Sequence, residues 1–307
     1  MPHAIAVSGL RKSFGGKTVL DGIDFEVPAG TTFALLGPNG SGKTTTVQIL
    51  STLIGSGGGR VRIAGHDLAT EPQAVRAAIG VTGQFSAVDN LLTGEENLIL
   101  MADLHHLPRA EGRRRTAELL DRFDLVDAAQ RLASTYSGGM RRRLDLAMTL
   151  IGRPRVIFLD EPTTGLDPRS RRLMWQIVRE LVAGGVTIFL TTQQLEEADE
   201  LADRIAVLDG GKLVAVGTPD ELKRGLPGGH VHLVFHEKSS LSEAAQVVDN
   251  ATPDVEALTL DVPSDGGVRA LRDLLDRLDK AGIEVAGLDL RTPDLEDVFY
   301  KLTEASR

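Results

Sequence analysis

Apolar residues in the first part of the chain come in short blocks broken by glycine: IAVSGL, then KTVLDGIDFEV, then TTFALLG, a run that stops at Gly37-Pro38. This pattern predicts short strands joined by turns, the third of them buried. Behind it, GPNGSG gives way to a stretch in which Val47, Leu50 and Leu53 fall at helical spacing. From about Val88 to Leu150 polar and apolar residues alternate with a helical period, and Arg113, Arg114 and Arg115 mark a charged face. A helical insertion is predicted there, and Thr93 to Glu96 fits a capping box that would start one of its helices. Unbroken apolar runs return at RVIFLD, VTIFLTT and RIAVLDGG, the first two followed by a loop and a helix. Buried runs alternating with helices imply a parallel sheet, so the body is of the α/β class.

The style changes after residue 224. A Gly-Pro-rich stretch, 225–229, is expected to be a linker between a body of residues 1–224 and a second domain, 230–307. That domain is expected to be a small α/β unit. Its strands are read at VHLVFHE, VEALTLDV and IEVAGLDL, and its helices at Leu241 to Asn250, Val268 to Lys280 and about Leu295 to Leu302. Leu295, Val298, Phe299 and Leu302 follow the i, i+3, i+4, i+7 pattern, which suits either a stripe packed on its own domain or a docking surface. His230, His232 and His236 share a face if VHLVFHE is one strand, but no carboxylate partner is specified for them, so a solvated polar face is expected and no metal beyond magnesium.

Composition narrows the chemistry. The 307 residues contain no cysteine, which removes disulfides, thiolate metal sites and cysteine nucleophiles. A net charge of −9 is the wrong sign for a protein that binds a phosphate backbone, so no nucleic acid is expected. The acidity is concentrated in the tail, where residues 228–307 hold 16 Asp and Glu against 8 Lys and Arg. The opening MPHAIAVSGL lacks a basic start with an apolar core, and no run approaches the ~18 apolar residues of a membrane span. The chain is expected to be neither exported nor inserted.

The segment Gly37, Pro38, Asn39, Gly40, Ser41, Gly42, Lys43, Thr44 satisfies G-x-x-x-x-G-K-[ST] between a predicted strand and a predicted helix. Glycines let backbone N–H groups and a helix N-terminus wrap a phosphate chain, Lys43 reaches the β and γ phosphates, and the Thr44 hydroxyl is offered to magnesium, with Thr45 beside it. A nucleotide and magnesium need a further carboxylate, and RVIFLDE delivers Asp160 and Glu161 at the end of a buried strand. Asp160 would hold magnesium and Glu161 would act as general base toward the attacking water. Alone, such a pair is more often a helix cap; next to the glycine loop it reads as part of an ATP site.

With Tyr136-Ser137-Gly138-Gly139-Met140 placed shortly before Asp160, the succession resembles the ATP-binding-cassette (ABC) ATPases. The resemblance covers about residues 1–222 and implies a P-loop NTPase fold with an ABC-type nucleotide-binding domain, its helical subdomain at about 88–150. It implies that Phe14 stacks on adenine, that Gln84 forms the glutamine loop and reaches magnesium, and that Asp167 lies in the loop after the acidic pair. Singly, Phe14 is also readable as a core aromatic, Gln84 as a turn residue and YSGGM as a Gly-rich cap. Ser137, Gly138 and Gly139 would form an anion-binding helix start kept electropositive by Arg141, Arg142 and Arg143. In the family that signature completes the site of an opposite subunit, and the chain carries one glycine loop and one signature. A second copy of the chain is therefore the expected partner.

Two positions depart from the usual family pattern: Gln193, in Thr192-Gln193-Gln194, stands where a histidine is common, and Met140 where the signature usually has glutamine. Together with the acidic extension ending in Leu295-Glu296-Asp297-Val298-Phe299, they resemble the daunorubicin/doxorubicin-resistance group of exporter ATPases. The implied protein is a cytoplasmic ATPase, peripheral on the membrane through a separate integral membrane permease, with residues after Gln84, roughly Phe85 to Asn97, transmitting motion. An uptake, glycan or lipid transporter ATPase, or a soluble cassette ATPase outside transport, remains the alternative. Gln193 would position the γ phosphate, or else cap the helix of Glu196 and Glu197.

Overall fold

A computed structural model describes residues 3–83, 87–224, 229–264, 267–291 and 294–304. The chain divides into two compact units, Met1–Pro219 and Asp220–Arg307. The first contains β1 (His3–Phe14), β2 (Lys17–Pro28), β3 (Thr32–Leu36), α1 (Lys43–Leu50), β4 (Gly58–Ile63), β5 (His66–Asp67), α2 (Pro72–Ala78) and β6 (Ile79–Thr82). There follow α3 (Gly94–Leu104), α4 (Arg109–Arg122), α5 (Gly138–Leu150), β7 (Val156–Asp160), α6 (Pro168–Ala183), β8 (Thr187–Thr192), α7 (Leu195–Leu201), β9 (Arg204–Asp209) and β10 (Lys212–Gly217).

Two sheets enclose the core of this unit. One is antiparallel, in the order β2-β1-β4-β5; the other has the order β10-β9-β3-β8-β7-β6 and is parallel except for β10. β3, β7 and β8 are buried at every position, which accounts for their unbroken apolar sequence. Phe33 stacks on Phe25 at 5.3 Å and on Phe189 at 5.6 Å between ring centroids, and Phe158 meets Phe189 at 5.6 Å, so the aromatic contacts tie the two sheets together. Each such pair adds ~0.5–1.5 kcal/mol beyond its area burial.

The helices of residues 94–150 begin where side chains satisfy their free N–H groups. Thr93 accepts a bond from the Glu96 N–H at 3.2 Å and Glu96 accepts one from the Thr93 N–H at 2.8 Å, the reciprocal capping box that the sequence predicts. Tyr136 is buried, donates to the Ala128 carbonyl at 2.7 Å, and lies where a side chain on Gly94 would collide with its hydroxyl. It anchors the start of α5.

α8 (Pro219–Arg224) straddles the division between the units. The second unit holds β11 (Gly229–Val234), α9 (Lys238–Val247), β12 (Thr252–Asp254), β13 (Thr259–Ser264), α10 (Val268–Lys280), β14 (Gly287–Arg291) and α11 (Leu295–Glu304). Its sheet, β12-β13-β11-β14, is antiparallel throughout and packs Val231, Leu233 and Leu260 against Leu241, Leu274 and Leu278 of the helices. Of the expected linker, residues 225–228 lie outside the described residues, and Gly229 opens β11.

Two local readings change. Residues 255–258 of VEALTLDV form the turn between β12 and β13, with Leu258 in the left-handed region at φ 55°. β11 ends at Val234, which leaves His236 beyond the strand; His232 Nδ1 lies 2.7 Å from an oxygen of Asp261 on β13. Leu295 and Val298 are buried, so at least these two positions of the last apolar stripe pack within the chain. Among the described residues no helix is long and apolar enough to cross a membrane.

Candidate functional site

The parallel strands bring the predicted chemistry to one edge. Leu36, the last residue of β3, pairs with Thr192 at the end of β8, and Asp160, the last of β7, pairs with Thr191. The glycine loop, the acidic pair and Gln193 therefore leave neighbouring strands at their carboxyl ends, where open α/β sheets form their ligand crevice.

The loop from Gly37 to Gly42 needs its glycines for different reasons. A Cβ on Gly37 would stand 2.3 Å from the Leu208 carbonyl oxygen, so close approach to β9 excludes any side chain. Gly42, which precedes α1, has φ 113°, a conformation open to glycine and strained for other residues. Lys43 is buried; its ammonium donates to the carbonyls of Gly37 at 2.8 Å and Pro38 at 3.1 Å, and lies 3.9 Å from Glu161 Oε1. Burial pulls its pKa below the ordinary lysine value, with the charges of Glu161 and Asp160 opposing.

Asp160 is buried, and its Oδ1 accepts a bond from the Thr191 hydroxyl and another from the Thr44 hydroxyl at 3.4 Å. Glu161 follows in the left-handed region at φ 49°, its N–H shared between the carbonyl and hydroxyl oxygens of Thr191 at 3.1 and 3.2 Å. The Thr164 hydroxyl donates to its Oε2 at 3.2 Å. Lys43, Thr44, Asp160 and Glu161 are thus assembled in one place.

These groups suit a magnesium nucleotide. Ser41 Oγ is buried with no hydrogen-bond partner, beside the cradle that a Cβ on Gly37 would fill. The lysine satisfies itself on its own loop, and oxygen donors from Thr44 and Asp160 are the hard ligands magnesium takes. Asn39, Gly40 and Thr44 are exposed and Thr45 is half-buried, so the loop's tip is open.

The remaining predicted residues fall into separate groups. Phe14 is 49 % exposed at the end of β1, with the Lys12 ammonium 4.9 Å from its ring centroid; it is not a core aromatic. Gln84 lies outside the described residues. Ser137 caps α5, its hydroxyl accepting from the Met140 N–H at 3.2 Å, and Ser137 and Gly138 are exposed. Gly139 is buried against α6, where a Cβ would come 2.5 Å from Ser170 Oγ. Among the described residues no hydrogen bond or ion pair joins Ser137, Gly138 or Gly139 to the glycine loop. Asp167 caps α6, accepting from the N–H groups of Arg169 and Ser170 and from the Ser170 hydroxyl at 2.7 Å; the Ser170 bonds hold its carboxyl below the ordinary range. Gln193 is exposed just past β8. The helix of Glu196 and Glu197 begins from Gln194, whose side chain makes no cap bond, so Gln193 is not its cap.

The arginines after the signature do not act alike. Arg143 pairs with Asp124 at 3.2 Å, while Arg142 turns inward and donates to the carbonyls of Pro162, Gly83 and Asp160. The only sign of this in the sequence is an arginine run, which reads as surface charge. Glu197 likewise carries no sequence signal of its place; it is buried, accepts from the Thr163 hydroxyl at 2.7 Å and the Trp175 indole N–H at 3.3 Å, and burial raises its pKa.

The model of the family described as ABC transporter matches residues 20–164. The daunorubicin resistance ATP-binding protein DrrA3 of Streptomyces coeruleorubidus is 48 % identical over 306 residues, 99 % of this chain and 97 % of that protein. The daunorubicin/doxorubicin resistance ATP-binding protein DrrA of Streptomyces peucetius is 47 % identical over 310 residues, 98 % of this chain and 92 % of that protein. A solved ATP-binding subunit of an ABC transporter superposes with a TM-score of 0.65 at 30 % identity, covering 72 % of this chain and 92 % of that one. The chain belongs to the ABC transporter family, as an ATP-binding and ATP-hydrolysing protein of the daunorubicin and doxorubicin resistance group.

Proposed function

We propose that this ATPase energises efflux of a drug-like or other hydrophobic compound through a separate integral membrane permease, as a pair of identical chains on the cytoplasmic face of the cell membrane. The observation that carries the reading is the extent of the likeness. It runs through both compact units, 99 % and 98 % of the chain for the two resistance proteins, and is not confined to the nucleotide-binding unit.

In this reading Lys43 exchanges the carbonyls of Gly37 and Pro38 for the β and γ phosphates. Thr44 and Asp160, with Gln84, would hold magnesium, which when bound neutralises charge on the phosphate oxygens. Glu161 takes the proton of the attacking water, and Gln193 donates an amide N–H toward the γ phosphate. Phe14 offers an exposed face to adenine. Ser137, Gly138 and Gly139, at the start of α5, face the nucleotide held by the second copy, with Asp167 nearby on the same side of the pair. The segment after Gln84, roughly residues 85–97, would meet the permease, and within it Leu91 is exposed.

Inverted membrane vesicles containing the chain and its permease provide the test. ATP should drive daunorubicin or doxorubicin into the vesicles, and Glu161→Gln should stop it. Absence of ATP-driven uptake of either drug, with ATP hydrolysis indifferent to the permease, would overturn the exporter reading.

A further inference from the structure

Glu161 occupies the left-handed backbone region at φ 49° without being glycine. Such a conformation is strained for a residue with a Cβ and persists only where the surroundings over-determine it. Here the residues on both sides of Glu161 are held by one side chain. Arg142 Nη2 donates to the Asp160 carbonyl at 3.2 Å and Arg142 Nε to the Pro162 carbonyl at 2.9 Å, so the guanidinium straddles the strained residue. Its third arm, Nη1, donates to the Gly83 carbonyl at 2.8 Å, one residue past β6, which binds the end of that strand to the same group.

The guanidinium is largely buried, which pulls its pKa below the ordinary arginine value, and nearby carboxylates oppose that effect. Asp145 Oδ2 lies 3.5 Å from Nη1, and Asp160 and Glu197 also oppose the effect of burial. Glu197 secures the next residue of the loop by accepting from the Thr163 hydroxyl at 2.7 Å. A planar fork that reaches three carbonyls on two separate segments, residues 160–162 and Gly83, is a geometry that arginine provides and a lysine ammonium does not.

We infer that Arg142 is a positioning residue for hydrolysis: it fixes the backbone of residues 160–162 so that Glu161 keeps its left-handed conformation and its carboxylate stays aimed at the site. This rests on Glu161 being the general base. Because Arg142 belongs to α5, which Ser137 caps, the pose of that helix and the placement of the base are mechanically linked.

The test is a double-mutant cycle in the full-length protein, with single-turnover ATP hydrolysis to resolve slow rates. Arg142→Lys should lower the hydrolysis rate by ~10-fold or more, a 1.4 kcal/mol change in barrier, while ATP affinity stays within about twofold of the parent, a transition-state effect without a ground-state one. In the Glu161→Gln background the same substitution should cost less than about twofold, because a residue acting through Glu161 has nothing left to position. An equal factor in both backgrounds, a matching loss of ATP affinity, or an unchanged rate would each overturn the inference. If Arg142→Lys loses its thermal transition, Arg142→Gln takes its place, and loss of folding in both assigns Arg142 to stability alone. Failure of the base assignment shows separately, as parental hydrolysis by Glu161→Gln with Arg142 intact.

Discussion

The Lys43 ammonium stands 3.9 Å from Glu161 Oε1 while it donates to the Gly37 and Pro38 carbonyls. The two residues carry different jobs and should fail differently. Lys43→Ala removes charge-assisted bonds to phosphate, worth ~1.5–3 kcal/mol, so ATP affinity should fall by about 10-fold to 100-fold. Glu161→Gln keeps the shape and leaves ATP affinity near the parent value while hydrolysis drops ~10²–10⁴-fold. Equilibrium binding of a fluorescent ATP analogue and steady-state hydrolysis separate the two; parental affinity in Lys43→Ala would remove the phosphate-loop role.

Ser137 and Gly138 are exposed at the start of α5, without hydrogen bonds to the chain's own glycine loop among the described residues. A signature serving the opposite copy predicts complementation. Mixing Lys43→Ala with Ser137→Ala should form heterodimers with one intact composite site, so ATP binding recovers to roughly half the sites in heterodimers. No recovery above the sum of the separate variants, under conditions where the chains demonstrably mix, would count against a shared site.

The strands that carry the chemistry were legible because β3, β7 and β8 are buried at every position and their sequences are correspondingly unbroken. Their order was not. β3 sits between β8 and β9, and contacts such as the Thr32 N–H to Asp203 Oδ2 at 2.8 Å join residues far apart in the chain. β4 and β5 are not legible, since GSGGGRVRIAGHD has too much glycine and arginine for a periodic signal. In the tail, VEALTLDV alternates apolar and polar residues over most of its length, and the turn at residues 255–258 contains no glycine or proline to mark it. At the site, the glycine loop and the acidic pair are each local in sequence and therefore legible. Arg142 works through three backbone carbonyls, partners that leave no trace in residue identity.

Glu111 on α4 gives a pH test. Arg114 and Arg115 donate to its carboxylate at 2.7 Å each, and these bonds, Arg114's first, hold its pKa down to about 2 from an ordinary 4.5. A carboxyl depressed on folding contributes stability that is fully present above the ordinary pKa and lost as pH falls through the folded value. Glu111→Gln should therefore melt below the parent by a constant margin from neutral pH to about 5, and the margin should narrow between about 4.5 and about 2. The group is half-buried and open to solvent on one side, so added salt should shrink the margin too. Thermal melts across pH and salt check this; a margin indifferent to both would mean that the Arg114 and Arg115 bonds contribute nothing measurable.

Gln193 emerges just past β8, where Thr192 pairs with Leu36 of β3 and Thr191 with Asp160 of β7, so the chain leaves the sheet between the glycine loop and the acidic pair. The side chain is exposed, and the neighbouring helix takes Gln194 as its first flanking residue. An amide offers two N–H donors and does not titrate, so it can hold a γ phosphate as a histidine would but cannot gain charge near neutral pH. Gln193→Ala should lower turnover at saturating ATP by roughly the worth of one charge-assisted bond, ~1.5–3 kcal/mol or about 10-fold to 100-fold. Gln193→His should retain much of the parental rate and acquire a new pH dependence near ~6.5, absent from the parent. Turnover unchanged in Gln193→Ala, measured with the permease present, would withdraw Gln193 from the site. A rate in Gln193→His that follows the parent's pH profile would instead mean that position 193 does not reach the phosphate.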